Sequence, residues 1–217
     1  AADIVFQFAR LPFASVVMDY LMALCHGAAL HSHSWRRDPF LWLDALVASG
    51  ATYLESTASA LSLVSISALL RLVVLAGEPL AQRARLSWAA SAVQTVSVHG
   101  ASDCATHSAC IELLSTDALS TIGGPLSNVC SHVLDERMQL LPIGVAGQVH
   151  TSGVGQARGY LSMPALTASR LVAAAHGPAR LCTTGDLMMW TGQGSLVHIG
   201  RIDLQVKLRG QRLELGE

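Results

Sequence analysis

Apolar residues follow two different rhythms along this chain. In the first part, short apolar or alternating runs give way to stretches with apolar residues three and four apart. Asp3–Ala9 alternates as a strand. Ser15–Leu30 has helical spacing and predicts a helix to about His26, before Gly27, then a short strand at Ala28–His31. His31–Pro39 reads as a polar loop, Phe40–Ser49 as a helix stopped by Gly50, and Ala51–Leu54 as a strand. Leu61–Leu70 then reads as a helix, Leu72–Leu75 as a buried strand closed by Gly77, Gln82–Ala90 as a helix, and Thr95–Val98 as an apolar strand ending at Gly100. Strands and helices alternating in this way predict a parallel sheet covered by helices.

The rhythm changes after Ile122–Pro125. From Cys130, short β-like runs (SHVLD, GQVHTSG, SLVHIG) are separated by glycine and proline turns, with one helix over Pro164–Val172. This pattern predicts a small barrel-like or meandering antiparallel unit. In Gly200–Glu217 the apolar positions Ile202, Leu204, Val206 and Leu208 alternate with polar ones, Gly210 permits a turn, and Arg212–Leu215 starts another strand. On periodicity alone this is an edge hairpin with a solvated face. Charged residues are 13% of the chain, yet Arg201, Asp203, Lys207, Arg209, Arg212, Glu214 and Glu217 crowd into it.

Composition narrows the function classes. A length of 217 residues allows one substantial core or two subdomains. Hydrophobic residues at 51% and a mean hydropathy of +0.43 describe an apolar, globular chain. Its most lipid-like stretch, Ala58–Leu70, is interrupted by serines and stopped by Arg71, short of the roughly 18 apolar residues a spanning helix needs. No membrane is expected as a partner. The net charge of −1 gives no electrostatic case for nucleic acid. No basic segment followed by a cleavage site opens the chain, so a cytoplasmic protein is expected, and the abrupt start suggests a piece of something longer. The five cysteines are odd in number, lack C-x-x-C spacing, and read as buried thiols of a reducing compartment. Of the nine histidines only His31 and His33 sit close together, and they read as a surface loop, not a metal site.

Five stretches together resemble the adenylation domains of nonribosomal peptide synthetases, within the adenylate-forming enzymes. The run GRIDLQVKLRGQRLELGE (Gly200–Glu217) is similar to the junction between the large and small lobes of that family. VLAGEPL (Val74–Leu80) resembles the glycine-bearing turn beneath the nucleotide, which implies a nucleotide contact at Gly77. SVHGASD (Ser97–Asp103) stands where the family has Asn-x-Tyr-Gly-Pro-Thr-Glu. The resemblance implies that His99 lies on adenine beside Gly100, that Ser102 meets phosphate, and that Asp103 holds Mg²⁺. GQVHTSGVGQARGYL (Gly147–Leu161) looks like the family's glycine-rich barrel segment, a structural role. CTTGDL (Cys182–Leu187) matches Thr-Gly-Asp, which implies that Asp186 takes the ribose hydroxyls; Arg201 would reach the ribose or phosphates, its planar fork suiting oxygen pairs. Asp203, in G-R-x-D, is the implied pivot of the small lobe.

The departures shape the expectation. LPFASVVMDYLMALCHGAAL (Leu11–Leu30) resembles the stretch that reads Phe-Asp-x-Ser in the family, and Ala14 stands where the aspartate pairs with the substrate's α-ammonium. The implied pocket is Ala14, Met18, Glu55, Val74, Ala76, Val98 and Thr106. The family's phosphate-binding loop and C-terminal lysine have no counterpart in these residues, so the chain alone is expected not to form acyl-adenylates. The expected fold is α/β, the later part of the large lobe: residues 1–126 a helix-covered sheet, 127–199 a β-rich subdomain, and 200–217 the hinge and first hairpin of the small lobe. The implied function is ATP-dependent activation of a carboxylic acid as acyl-AMP, with Mg²⁺, and transfer to the phosphopantetheine thiol of a peptidyl carrier protein. The alternative is a non-catalytic remnant or scaffold segment of a multidomain synthetase.

Overall fold

The computed structural model describes residues 2–32, 41–63, 69–78, 86–88, 90–103, 107–112, 121–174 and 180–203, and the backbone of 205–208 and 211–214. Its residues fall into two compact units. The first comprises Ala1–Ser97, Glu112–Leu119 and Lys207–Gln211; the second comprises Val98–Ile111, Ser120–Val206 and Arg212–Glu217.

The first unit is built on parallel strands: β1 (Ile4–Gln7), β2 (Ala29–Ser32), β3 (Tyr53–Ser56), β4 (Leu72–Leu75) and the start of β5 (Gln94–His99). Their order is β2-β1-β3-β4-β5, and the pairings are parallel throughout. The inner strands are short apolar runs because both faces are covered: Phe6, Leu54 and Val73 are fully buried. Helix α1 (Ser15–His26) buries Val16, Asp19 and Ala23, a stripe three and four residues apart, and ends where Gly27 turns left-handed. Helix α2 (Trp42–Ser49) buries Trp42 and Leu46, and Trp42 meets Phe8 edge to face at 4.8 Å.

Several boundaries differ from the sequence reading. The strand expected at Ala51–Leu54 lies at Tyr53–Ser56, because Thr52 is spent on entry: its Oγ1 accepts the Ile4 N–H. The helix expected from Leu61 begins earlier, as α3 (Ala58–Leu61), since Thr57 caps it by accepting the Ala60 N–H. The remainder of that expected helix beyond 63 lies largely outside the described residues, as does most of Gln82–Ala90, of which 86–88 are helical. His31 is not in a surface loop; it belongs to β2 and stacks on Phe6 at 5.5 Å. His33 lies outside the described residues. Nor are the thiols uniformly buried. Cys25 on α1 and Cys130 are exposed and Cys110 is intermediate; Cys182 is the buried one among the described residues, which do not include Cys104. No described helix is long and apolar enough to cross a membrane.

The second unit is antiparallel. It contains β6 (Ala109–Glu112, through Ile111), β7 (Thr121–Pro125), β8 (Val129–Leu134), β9 (Gly147–Gly153), α4 (Pro164–Arg170), β10 (Leu171–Ala173), β11 (Arg180–Trp190) and β12 (Leu196–Arg201). The order is β6-β7-β12-β11-β9-β8, with β10 also on β11. Val133, Val149, Met188 and Leu196 form its core. The helix expected to reach Val172 stops at Arg170, because Leu171–Ala173 pairs with Arg180–Cys182. Strands β13 (Gln205–Leu208) and β14 (Gln211–Glu214) pair with each other where the hairpin was expected; Gly210, the expected turn residue, lies outside the described residues.

Asp19 in α1 is the first unit's least expected core residue. It is fully buried, and neither carboxyl oxygen has a hydrogen-bond partner among the described residues. Burial, and secondarily the charge of Glu55, pushes its carboxyl up to about 8. The folded protein therefore holds a proton that the unfolded chain releases near the ordinary value of 3.8. Stability is fully present below that value and is lost as pH rises towards about 8. Asp19→Asn should flatten this slope. Melting temperatures from pH 5 to 8.5 are expected to fall for the parent and to stay level for the variant, apart from shared contributions; parallel slopes would refute the assignment.

Candidate functional site

The second unit gathers polar side chains around Asp186 of β11. Strand β11 carries Thr184-Gly185-Asp186 not in a free turn but at an irregularity, where its register against β9 shifts between Thr183 and Leu187. Gly185 sits at φ 78°, and a Cβ there would come within 2.8 Å of the Arg201 guanidinium, so both the bend and the close approach require glycine. Thr184 fixes the bend: its hydroxyl donates to the Val149 carbonyl at 2.7 Å and accepts the Asp186 N–H at 3.1 Å. The carboxylate of Asp186 is thereby set opposite Arg201, its partner across the β11–β12 ladder.

Three basic side chains surround that carboxylate. Arg201 Nη1 donates to Asp186 Oδ1 at 2.7 Å, while its Nε and Nη2 grip the two oxygens of Asp203, each at 2.7 Å. His99, at the end of β5, places Nε2 at 3.2 Å from Asp186 Oδ2. His198 on β12 places Nε2 at 3.6 Å from Oδ1. Burial alone pushes the Asp186 carboxyl up, but hydrogen bonds from His198 and His99 and the charges of His99 and Arg201 outweigh it and hold the group well below the usual carboxylate range. Asp186 is thus a fixed anion beside the Arg201 guanidinium and two imidazoles, the kind of centre that binds hydroxyls and tolerates phosphate nearby.

The loop after β5 is tied to a different segment. The His99 carbonyl accepts both the backbone N–H and the hydroxyl of Ser108, at 2.7 and 3.2 Å. Asp103 receives the Tyr160 hydroxyl at 2.6 Å, and its carbonyl receives the Ala157 N–H at 2.8 Å. Burial and then the bond to Asp103 push the Tyr160 phenol up to about 12. The glycine-rich stretch Gly147–Leu161 therefore fastens the acid expected to hold Mg²⁺. Among the described residues no three His, Cys, Asp or Glu side chains form a metal cage. A single carboxylate suits magnesium, which keeps waters and takes its other ligands from phosphates. Ser102 is exposed beside it.

The remaining expected residues lie mostly in the first unit. Gly77 follows β4 at φ 90° with open space where a Cβ would be. Ala14 caps α1, with Met18 one turn further on the same helix face. Glu55 is buried in β3, directly across from Val74 in β4; Ala76 follows that strand. The Tyr53 hydroxyl reaches Glu55 Oε2 at 3.5 Å. Val98 and Gly100 belong to the second unit, and Thr106 lies outside the described residues. Sequence reasoning missed His198, Tyr160 and Asp19. Tyr160 was visible as the aromatic in Ala-Arg-Gly-Tyr, but its bond to Asp103 spans 57 positions. His198 had no local signal, because only the β11–β12 register brings it to Asp186.

Residues 1–161 match the family model described as AMP-binding enzyme. The "Dimodular nonribosomal peptide synthase" of Bacillus subtilis (strain 168) is 35% identical across 100% of this chain, which covers 10% of that protein. Among solved structures, an adenylation domain of Vibrio cholerae in complex with glycyl-adenosine-5'-phosphate superposes with a TM-score of 0.85 at 25% identity, over 99% of this chain and 43% of its own. An artificially fused adenylation–PCP di-domain from Klebsiella oxytoca gives the same score and identity over 99% and 42%. The chain spans less than half of each of these relatives.

Proposed function

The chain belongs to the family of AMP-binding enzymes, and from that premise we propose that it serves in the later large lobe of an adenylation domain of a nonribosomal peptide synthetase. The reaction is carboxylate activation. A carboxylate oxygen of the acid attacks the α-phosphorus of ATP, the bond to pyrophosphate breaks, and the acyl-adenylate then passes its acyl group to the thiol of a carrier protein's phosphopantetheine arm, forming a thioester and releasing AMP and the thiol proton. The observation that supports this most is the convergence of His99 and Arg201 on Asp186. Asp186 accepts the ribose hydroxyls, Arg201 holds Asp186 in place and lies towards the phosphates, and the His99 ring and Gly100 line the adenine side. Gly77 contributes open backbone. Ser102 meets phosphate, and Asp103, steadied by Tyr160, supplies a carboxylate to Mg²⁺, which neutralises phosphate charge when bound. Catalysis of such a transfer rests on positioning and electrostatics, not on a protein nucleophile. The setting is cytoplasmic, and the acid is held by Ala14, Met18, Glu55, Val74, Ala76, Val98 and Thr106.

Asp203 is proposed as the pivot between residues 127–199 and the segment 200–217 that carries the hairpin, and its grip on Arg201 couples the pivot to the nucleotide site. The test uses the full-length protein and residues 1–217 alone, each assayed for ATP–pyrophosphate exchange with a panel of carboxylic acids and for thiol loading. The full-length protein is expected to exchange, and the 217-residue chain to stay near background. Asp203→Pro should impair one half-reaction far more than the other. The replacements at Ala14 and His99 favour a second reading, a non-catalytic scaffold. Absence of exchange by the full-length protein with every acid would select it.

A further inference from the structure

Asp186 is surrounded by more donors than a ribose diol leaves room for. A carboxylate has about four acceptor positions, and two neighbouring hydroxyls binding side by side need two of them. Arg201 cannot yield, because Asp203 holds its other nitrogens at 2.7 Å. His99 approaches at 3.2 Å and its carbonyl is pinned by Ser108. His198 is the loosest of the three: its contact is the longest, at 3.6 Å, and its side chain is 31% exposed, against 19% for His99 and 16% for Arg201. Its ring lies 6.0 Å from that of His99, so both imidazoles crowd the same carboxylate.

We propose that His198 sets nucleoside affinity by competing with the ribose diol for Asp186, its ring standing beside Oδ1. This rests on the nucleotide-site reading above. The groups facing Asp186 are His198 and Arg201 from β12, His99 from the end of β5, and Asp203 just beyond β12, bound to Arg201. On β9, His150 stands opposite Thr183, turned to the Gln148 carbonyl, and burial pushes it down, towards the neutral form. Removing the competitor should therefore raise affinity for a nucleoside that carries the diol and leave one without it unchanged.

The experiment measures binding of adenosine, AMP and 2′,3′-dideoxyadenosine to the full-length protein and to its His198→Phe and His198→Gln variants. Both variants are expected to bind adenosine about three- to fivefold more tightly than the parent, the scale of one net hydrogen bond. The dideoxynucleoside should bind weakly and equally to all three. If the parent binds neither adenosine nor AMP, the nucleotide-site reading fails and this inference with it. If the parent binds AMP but both His198 variants bind adenosine no more tightly than the parent, or lose it, the inference alone is overturned.

Discussion

Arg201→Ala is expected to lower stability by about 3–5 kcal/mol and to abolish nucleotide binding in the full-length protein. The guanidinium is the shared cation of two carboxylates, Asp186 and Asp203, and only 16% of its side chain is exposed. Removing one partner of a buried pair leaves the other charged and desolvated, which costs about 3–5 kcal/mol. Here Asp186 keeps the imidazoles of His99 and His198 beside it but loses its guanidinium, and Asp203 loses the fork of Nε and Nη2. Arg201→Lys should recover part of the loss, since an ammonium restores the charge but cannot reach Asp186 while forking onto Asp203. Denaturant unfolding and ATP binding of the two variants check this, and a stability change below about 1 kcal/mol for Arg201→Ala, in the range of an exposed pair, would refute it. The pH signature has the opposite sign to that of Asp19. Asp186 is held below its ordinary value of 3.8, so its contribution is present above that pH and disappears as the solution is made more acid.

The second large effect concerns the substrate. If adenylation is the activity, the full-length protein should discriminate against simple apolar α-amino acids, and Ala14→Asp should raise their activation about a hundred- to thousandfold. The position is the N-cap of α1, half-buried, with no side-chain hydrogen bond to the helix. A substrate ammonium there has only a methyl group to face, and a buried charge without its partner costs about 3–5 kcal/mol, which is the stated range at about 1.4 kcal/mol per tenfold. An aspartate introduced at this helix start also lies where negative charge is favoured. Hydroxy, keto, aryl or fatty acids avoid the penalty. Glu55, buried across from Val74, offers another anchor for a displaced amine or a basic side chain. Glu55→Gln should then weaken activation of those amine-bearing acids specifically. ATP–pyrophosphate exchange across an acid panel decides the matter: a parent that already prefers an apolar α-amino acid, with no change in Glu55→Gln, would refute both forms of the prediction.

Much of the fold was legible locally. The apolar runs at Ile4–Gln7 and Leu72–Leu75 and the helical stripe of α1 are properties of neighbouring residues, and periodicity reports them directly. Gly27 and Gly50 end their helices where the sequence said, because a left-handed residue is a local demand. Boundaries slipped where a side chain chose the start: Thr57 as a cap advanced α3, and pairing with β11 cut α4 short at Arg170.

By itself, then, the sequence determined the alternation of strand and helix, the change to antiparallel β structure, the charged terminal hairpin, and the motif order that marks the AMP-binding family. It also named Asp186, Arg201 and His99 by resemblance, though not their contacts. Only the tertiary structure decided that Arg201 lies against Asp186 and Asp203 together, that His198 faces the same carboxylate, that Tyr160 holds Asp103, and that Asp19 is buried against Glu55. The reason is sequence distance. Strand register fixes which residues of β11 and β12 oppose one another, and a shift by one position reverses every side chain. Burial likewise depends on what a helix packs against, so an aspartate in an apolar stripe carries no local sign of the charge it will meet.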